Sequence, residues 1–232
     1  MYNALAFRET RTEVMHALMR AHPLATLVVL TAKGLEANHI PLLVDAFPAP
    51  DGAQGDSGAA ASQGSLGVLR GHVARANPVW RTFDASAEVL AVFQGPQGYV
   101  TPSWYPSKVE HGKVVPTWNY AVVHAYGPLV IHDDAEWLRG LVTQLTQSHE
   151  AARERPWQVT DAPADYIDSM LKAIVGIEIP ISRLEGKWKL SQNRLPQDRE
   201  GVINALSEQR AQGDPGSAAM LREMGVVSVK PA

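Results

Sequence analysis

A β-hairpin is predicted by the stretch Leu24-Ala-Thr-Leu-Val-Val-Leu-Thr-Ala-Lys-Gly-Leu-Glu-Ala-Asn-His-Ile-Pro-Leu-Leu-Val44. Its first part, Leu24 to Thr31, is mostly apolar and rich in β-branched residues, which is typical of a buried strand. Ala32-Lys-Gly34 is a turn signal, and a second strand is predicted from Leu35 to Val44. An amphipathic helix over residues 9–22 precedes the hairpin and ends before Pro23.

The rest of the chain continues this pattern of short strands and adds helices. Further strands are predicted at 65–73, 87–94, 97–101, 116–132 (broken near Gly127-Pro128) and, as a pair, 176–190. Helices are predicted to start at Asn77-Pro78 and to cover 133–150, 163–174, 198–210 and 215–224, with Asp133, Asp161 and Asp214 as caps. Residues 102–115 are predicted to form a loop.

Short strands joined by tight turns favour an antiparallel barrel over a doubly wound parallel sheet. The expected fold class is therefore mainly β with flanking helices (α+β). We expect one domain over residues 1–195, with a mobile loop at 46–64, and a C-terminal helical extension over 196–232.

Composition narrows the class of protein and the kinds of site it can hold. The chain has 232 residues, no cysteine, a net charge of −3 and a sequence pI near 6.2. The absence of cysteine excludes disulfides, thiolate catalysis and cysteine-based zinc sites. No apolar run is long enough for a membrane span and no signal peptide is recognisable, so a cytoplasmic protein is expected. The eight histidines are scattered, and no metal site is expected.

Two short patches combine aromatic rings with hydrogen-bonding groups: Thr101-Pro-Ser-Trp-Tyr105 and Pro116-Thr-Trp-Asn-Tyr120. Flat rings beside hydroxyl and amide groups suit a planar heteroaromatic ligand. On a strand, Trp118 and Tyr120 share one face, and Thr117 and Asn119 share the other. The alternative interpretation is that both tryptophans are ordinary core residues.

Two basic segments are candidates for binding a phosphate. Arg70-Gly-His-Val-Ala-Arg-Ala-Asn-Pro78 ends at a strand-to-helix transition, where backbone N–H groups can meet an anion. Arg183-Leu-Glu-Gly-Lys-Trp-Lys-Leu-Ser-Gln-Asn-Arg194 carries a net charge of +3 and adds hydroxyl and amide groups. The alternatives are a surface strand with a capped helix for the first segment, and a lysine-guarded edge strand for the second.

Five motifs taken together carry a family resemblance. They are His39-Ile-Pro41, Gly71-His-Val-Ala-Arg-Ala-Asn77, Tyr99-Val-Thr-Pro-Ser-Trp-Tyr105, Pro116-Thr-Trp-Asn-Tyr120 and Lys187-Trp-Lys-Leu-Ser-Gln-Asn193. Over residues 1–210 the chain resembles the PaiB-type FMN-binding transcriptional regulators, which are similar to the pyridoxamine-phosphate-oxidase-like split barrels.

This resemblance implies an antiparallel split β-barrel of the FMN-binding type that forms a homodimer, with FMN at the subunit interface. His39 and Pro41 would border the isoalloxazine. His72, Arg75 and Asn77 would serve the ribityl-phosphate side. Ser103, Trp104, Thr117, Trp118 and Asn119 would line the ring or the partner's wall, and Lys187, Lys189, Ser191 and Gln192 would close the site. Two or three of Arg75, Lys187, Lys189 and Arg194 are expected to converge on the phosphate.

Three functions follow from the resemblance: FMN binding, flavin-dependent oxidation and reduction, and direct DNA binding by a repressor. The leading one is FMN binding in a negative transcriptional regulator of the PaiB type, with DNA or a regulatory protein as a further partner. The alternative is an FMN-dependent oxidoreductase using NAD(P)H or a small-molecule substrate, because flavin itself carries the hydride chemistry. Residues 199–224 carry three arginines against four acidic residues, so the C-terminal hairpin is expected to brace the fold rather than read DNA. No catalytic residue is assigned.

Overall fold

The structure is a computed structural model that describes residues 1–45 and 66–228; the loop predicted at 46–64 lies outside these residues. The described residues form ten strands: β1 Arg8–Glu9, β2 Leu24–Thr31, β3 Gly34–Pro41, β4 Leu43–Asp45, β5 Val68–Ala74, β6 Val89–Val100, β7 Thr117–Gly127, β8 Val130–His132, β9 Ile174–Pro180 and β10 Arg183–Lys189. The same residues form seven helices: α1 Thr12–Ala21, α2 Val79–Thr82, α3 Ser107–His111, α4 Ala135–Glu150, α5 Ala164–Lys172, α6 Pro196–Ala211 and α7 Pro215–Ser228. Short 3₁₀ turns occur at Leu5–Phe7, Pro102–Trp104 and Val159–Asp161.

The chain divides into two compact units, each built from separate stretches of sequence. The first unit contains residues 1–21, 94–124 and 185–232, and the second contains residues 22–93 and 125–184. Strands β6 and β7 contribute residues to both units.

In the first unit, strands β1, β10, β7 and β6 lie side by side in that order. β1 pairs antiparallel with β10, with Arg8 opposite Lys187. Helix α6 lies so close to the 3₁₀ turn at Pro102–Trp104 that a Cβ on Gly201 would be 2.0 Å from the Trp104 carbonyl oxygen. The buried side chains of this unit include Met15, Met19, Tyr105, Trp188, Val202, Leu206, Met220 and Met224.

The second unit contains the predicted hairpin. β2 and β3 pair over their whole length, and the turn between them is closed by Gly34 at a φ of 109°, which favours glycine. The first half of β6 pairs with β2. A second antiparallel sheet has the order β4-β5-β9-β8, and helices α4 and α5 pack together through Leu138, Ile167 and Leu171.

The strand Leu24–Thr31, the break after Gly127 and the cap at Asp214 are confirmed by the structure. The two strands predicted at 87–94 and 97–101 are one strand, β6. Gly95 lies inside it, where a Cβ would be 2.8 Å from the Leu18 side chain, so this glycine marks a close approach rather than a turn. The predicted second hairpin strand divides into β3 and β4 at Leu42, whose N–H bonds to the Pro23 carbonyl.

Several boundaries predicted from capping residues were wrong. Asp134, not Asp133, caps α4 by accepting a hydrogen bond from the Trp137 N–H at 2.7 Å. Asp161 ends a 3₁₀ turn, and α5 begins at Ala164, after Pro163. The stretch predicted as a loop at 102–115 contains a 3₁₀ turn and α3, and the strand pair predicted at 176–190 consists of β9 and β10, which lie in different sheets.

In residues 1–45 and 66–228, no helix is both long enough and apolar enough to cross a membrane. The same part of the chain contains no group of three or more histidine or carboxylate side chains that is arranged to hold a metal ion.

Candidate functional site

A cationic cluster forms in the first unit where the start of β7 meets the end of β10. Lys189 lies near the end of β10 and donates hydrogen bonds to the Thr117 hydroxyl and, at 2.6 Å, to the Trp118 carbonyl oxygen. A small cavity of about 40 Å³ opens between the two strands. Its lining is polar or charged throughout: Thr117, Asn119, Lys189, Ser191, Asn193 and Arg194.

Asn119 supplies the most direct sign that this cluster receives a ligand. Its side chain is buried, with 1% of its surface exposed, and its Oδ1 accepts a hydrogen bond from the Ser191 hydroxyl at 3.1 Å. Its Nδ2 is buried and has no hydrogen-bond partner. A buried amide without a partner is costly, so a group that accepts a hydrogen bond from Asn119 would stabilise the site.

The electrostatics of the cluster favour an anion. Partial burial lowers the pKa of Lys189, and the positive charges of Lys187 and Arg194 lower it further. Among residues 1–45 and 66–228, none of these three cations forms an ion pair with a carboxylate. Positive charge is therefore concentrated here without a compensating side chain.

A separate aromatic pocket of about 450 Å³ lies in the same unit on β6 and β7. Trp118 is 54% exposed and Tyr99 is 51% exposed, and their rings meet edge to face with centroids 5.9 Å apart. No charged side chain lines the pocket, whose residues are Gln94, Gln97, Trp118, Tyr120, Ala121 and Val122.

The cationic cluster and the aromatic pocket use opposite faces of β7. Side chains alternate along a strand, so Thr117 and Asn119 point to one face, and Trp118 and Tyr120 point to the other. The alternation predicted from the sequence is confirmed, and it places residues that were expected to line the ring or the partner's wall in two separate regions.

Two other predicted site residues of this unit form hydrogen bonds with nearby backbone groups. The side chain of Gln192 folds back onto the preceding residues: its Oε1 accepts a hydrogen bond from the Leu190 N–H at 2.7 Å, and its Nε2 donates to the Trp188 carbonyl oxygen. Lys187 donates to the Tyr2 carbonyl at 3.0 Å, and its Nζ is 5.5 Å from the centre of the Tyr120 ring. Gln192 therefore shapes the turn after β10, while Lys187 contributes its charge.

Ser103 and Trp104 lie outside both regions, in the 3₁₀ turn Pro102–Trp104. The Ser103 hydroxyl accepts a hydrogen bond from Lys108 at 3.2 Å. The structure does not bring these two residues into the cationic cluster or the aromatic pocket.

The second unit contains the remaining predicted residues. His39 and Pro41 are exposed on β3. Asn77 donates to Asn38 at 2.8 Å and accepts from the Val79 N–H at 3.0 Å. Burial lowers the pKa of His72, whose Nδ1 is buried without a hydrogen-bond partner.

Arg75 is already occupied within the second unit. Its guanidinium forms a two-pronged ion pair with Asp133 and also donates to the carbonyl oxygens of Lys172 and Ile174. A phosphate would have to displace Asp133 from this arrangement, and a phosphate-binding role for Arg75 stays a prediction.

The sequence prediction omitted several residues that line these regions. Asn193 follows Gln192 directly and continues the same polar run, which was the available signal for it. Arg194, the next residue, was already among the cations expected to converge on the phosphate. Gln94 and Gln97 were not assigned from the sequence; the first ends one predicted strand and the second begins the next, whereas both lie on the single strand β6.

Comparison with known proteins shows the family of this chain. The family model described as "Putative FMN-binding domain" matches residues 1–183. The chain belongs to this family. FMN as the cofactor is confirmed by this membership.

Relatives and solved structures agree with the family and the fold. A protein of Emericella nidulans is 34% identical over 260 residues, covering 99% of this chain and 100% of the relative. The Bacillus subtilis "Protease synthase and sporulation protein PAI 2" is 38% identical over 141 residues, covering 61% of this chain and 65% of the relative. The predicted resemblance to the PaiB type is confirmed by this relative and the family model.

Two solved structures show the fold. A "putative 5-nitroimidazole antibiotic resistance protein" from Bacteroides thetaiotaomicron has a TM-score of 0.51 at 9% identity, covering 78% of this chain and 85% of that chain. The flavocytochrome Anf3 from Azotobacter vinelandii also has a TM-score of 0.51, at 11% identity, covering 78% of this chain and 69% of that chain. The predicted split-barrel fold class of the FMN-binding type is confirmed.

The residues of the cationic cluster fit the anionic end of FMN. Its phosphate carries about −1.5 to −2 charges at neutral pH and accepts several hydrogen bonds. The cluster offers two cations, the unpartnered Nδ2 of Asn119 and the Thr117 hydroxyl, while the Ser191 hydroxyl proton is donated to Asn119. Donors of this kind and number match a phosphate monoester.

Proposed function

We propose that this protein binds FMN with the phosphate held by the cationic cluster of the first unit. The observation that carries the proposal is uncompensated positive charge beside a buried amide that lacks a partner: Lys189 has a lowered pKa, and the Nδ2 of Asn119 has no acceptor. When bound, FMN supplies hydride and electron-transfer chemistry. The protein's own part is to bind and orient the cofactor.

Each residue of the cluster has a distinct role in this proposal. Lys189 and Arg194 neutralise the phosphate charge, and Asn119 donates its free N–H to a phosphate oxygen. Ser191 keeps Asn119 in place through the 3.1 Å hydrogen bond, which leaves the amide nitrogen directed toward the ligand. Thr117 holds the Lys189 ammonium at the start of β7.

A comparison of FMN with riboflavin tests the phosphate assignment, because riboflavin lacks only the phosphate. Lys189→Ala is expected to weaken FMN binding by about 1.5–3 kcal/mol, roughly ten- to hundredfold, and to change riboflavin binding less than about twofold. Lys33→Ala, in the β2–β3 turn, is the matched control and should change neither. If Lys189→Ala weakened the binding of FMN and riboflavin equally, the assignment would be contradicted. If only Arg75→Ala weakened FMN binding selectively, the phosphate would belong to the second unit.

The proposal includes a homodimer, as the family resemblance implies. An apolar face of the β2–β3 hairpin supports it: Leu24, Leu30 and Leu35 are 61%, 40% and 76% exposed. Leu30 is directly opposite Leu35, and Leu24 is opposite Pro41, so these side chains share one face of the hairpin, with the pair Thr26 and His39 on the same face between them. An exposed apolar face of this kind is typical of an interaction surface.

Sedimentation analysis tests the dimer. Leu35→Glu is expected to shift the protein toward the monomer, because a carboxylate would be buried against an apolar partner surface. Lys33→Glu adds the same side chain two residues away, at the turn, and is expected to leave the association unchanged. A monomeric unmodified protein at micromolar concentration would contradict the dimer.

We extend the proposal to negative regulation of transcription, because the Bacillus subtilis relative is named for protease synthesis and sporulation. The C-terminal segment 199–224 has a net charge of −1, which favours regulation through a protein partner over direct DNA contact. A reporter driven by the protein's own promoter should be repressed by the protein, with no gel shift at low salt. Unchanged transcription would contradict the regulatory role.

A further inference from the structure

The aromatic pocket differs from the cationic cluster in both chemistry and position. It is lined by Trp118, Tyr120 and two glutamine side chains, with a volume of about 450 Å³. That volume lies within the range of roughly 300–1,000 Å³ that is usual for small-molecule sites. The proposed FMN phosphate ligands do not reach it, because Thr117 and Asn119 point to the other face of β7.

The side chains of the pocket define the ligand it suits. Trp118 presents its ring to solvent, and Tyr99 supports that ring edge to face at 5.9 Å, so a flat molecule can stack on a surface that is already held in place. Gln94 and Gln97 each offer an amide donor and a carbonyl acceptor at the edge of the stack. Because the lining has no charged side chain, an ionic ligand would gain no partner there.

We propose that the aromatic pocket is a second ligand site, separate from the flavin phosphate site, which binds a neutral planar heteroaromatic molecule with hydrogen-bonding groups on its edge. The ligand stacks on Trp118, and its edge is read by Gln94 and Gln97. In a regulatory flavoprotein, such a site would take the signal molecule or the redox partner of the flavin. The proposal goes beyond the proposed FMN binding, and the separation of the two sites rests on the phosphate site proposed above.

Binding of lumichrome to the FMN-saturated protein tests the proposal, because lumichrome is neutral and planar and lacks the ribityl phosphate. Equilibrium dialysis with lumichrome is expected to give one site per chain, with a dissociation constant that is the same within about twofold in the presence and absence of FMN. Trp118→Ala should weaken lumichrome binding at least tenfold and leave FMN binding within about twofold. Trp157→Ala is the matched control, because Trp157 is similarly exposed at 46% but lies in the second unit.

Two further variants separate this proposal from the assignment of the phosphate. Lys189→Ala should change FMN binding alone, and Gln97→Leu should change lumichrome binding alone. Displacement of lumichrome by FMN would overturn the proposal and make this pocket the seat of the flavin ring. An absence of lumichrome binding would also overturn the proposal. So would a Trp118→Ala variant that loses self-association and keeps lumichrome binding, because a second copy of the chain would then cover the pocket.

Discussion

The hydroxyl group of Ser191 donates a hydrogen bond to the Oδ1 of Asn119 at 3.1 Å, while the Ser191 backbone adopts a left-handed φ of 63°. A residue with a side chain rarely adopts this conformation without a compensating interaction. Both residues are buried, and the bond leaves the Nδ2 of Asn119 available in the cationic cluster. The strained turn after β10 thus positions the amide that we assign to the ligand.

The first prediction separates the hydrogen bond from the backbone strain at this position. Ser191→Ala removes the hydroxyl and keeps the left-handed penalty, so it should lower the free energy of unfolding by about 1–3 kcal/mol. Ser191→Gly loses the same bond but tolerates the positive φ, and should be more stable than the alanine variant by about 1 kcal/mol. Urea denaturation of both variants measures the difference, and equal stabilities would mean that the turn does not keep its conformation.

The second prediction concerns the pH dependence of FMN binding. The pKa of Lys189 is lowered from its ordinary value of 10.5 by burial and by two neighbouring cations. Lys189 therefore loses its positive charge at a lower pH than a free lysine, and FMN affinity should fall as the pH rises toward 10.5. Fluorescence titrations across alkaline pH check this, with riboflavin as the reference ligand. Lys189→Arg should keep its affinity over the same range, because a guanidinium stays protonated.

The third prediction concerns the attachment of α7 to the sheet of the first unit. The indole N–H of Trp188, whose side chain is 1% exposed, donates to the Glu223 carboxylate at 2.6 Å. Trp188→Phe should lower the free energy of unfolding by about 2–4 kcal/mol, from the lost charged hydrogen bond and the smaller ring. Hydrogen exchange of α7 amides should accelerate with it. Glu223→Gln keeps an acceptor for the indole N–H and should lower the free energy of unfolding less than Trp188→Phe does. An equal loss in both variants would mean that packing alone attaches α7 to the sheet.

The fourth prediction uses two helical glycines as a matched pair. A Cβ on Gly201 in α6 would be 2.0 Å from the Trp104 carbonyl oxygen, whereas a Cβ on Gly225 in α7 would meet nothing within 4 Å. Gly201→Ala should therefore destabilise the protein by about 1–3 kcal/mol, because α6 must move away from the Pro102–Trp104 turn. Gly225→Ala should stabilise it by about 0.5–1 kcal/mol through higher helix propensity. Thermal unfolding of both variants measures the two effects. A shift of the unfolding midpoint in the same direction for both variants would contradict the prediction.

Local sequence signals predicted those elements whose boundaries depend on nearby residues. The turn at Gly34, the break after Gly127 and the Asp214 cap each follow from one residue type acting within a few positions. The prediction failed near Gly95, which lies between the two strands predicted at 87–94 and 97–101 but inside the single strand β6. Its role is set by Leu18, far away in the sequence, which packs where a side chain would otherwise be.

In the candidate site, too, some features follow from local sequence and others depend on contacts between distant residues. The run from Arg183 to Arg194 was a candidate phosphate-binding segment from its charge and polar composition, and the cationic cluster includes four of its residues. The state of Arg75 could not be predicted in this way, because Asp133 is distant in sequence and occupies the guanidinium only in the folded chain. The shared pocket of Gln94, Gln97 and Trp118 was hidden for a related reason, since it depends on the pairing of β6 with β7.

The sequence by itself determined the chemistry that this protein has available: cations near the end of β10, aromatic rings and amides on β7, no cysteine, and motifs that resemble one FMN-binding family. Composition and short-range periodicity are sufficient for this, because they do not require knowledge of distant contacts. Only the tertiary structure decided which groups share a cavity and which cations, among the described residues, are left without a carboxylate. These outcomes depend on strand pairing and burial, which bring together residues from distant parts of the chain.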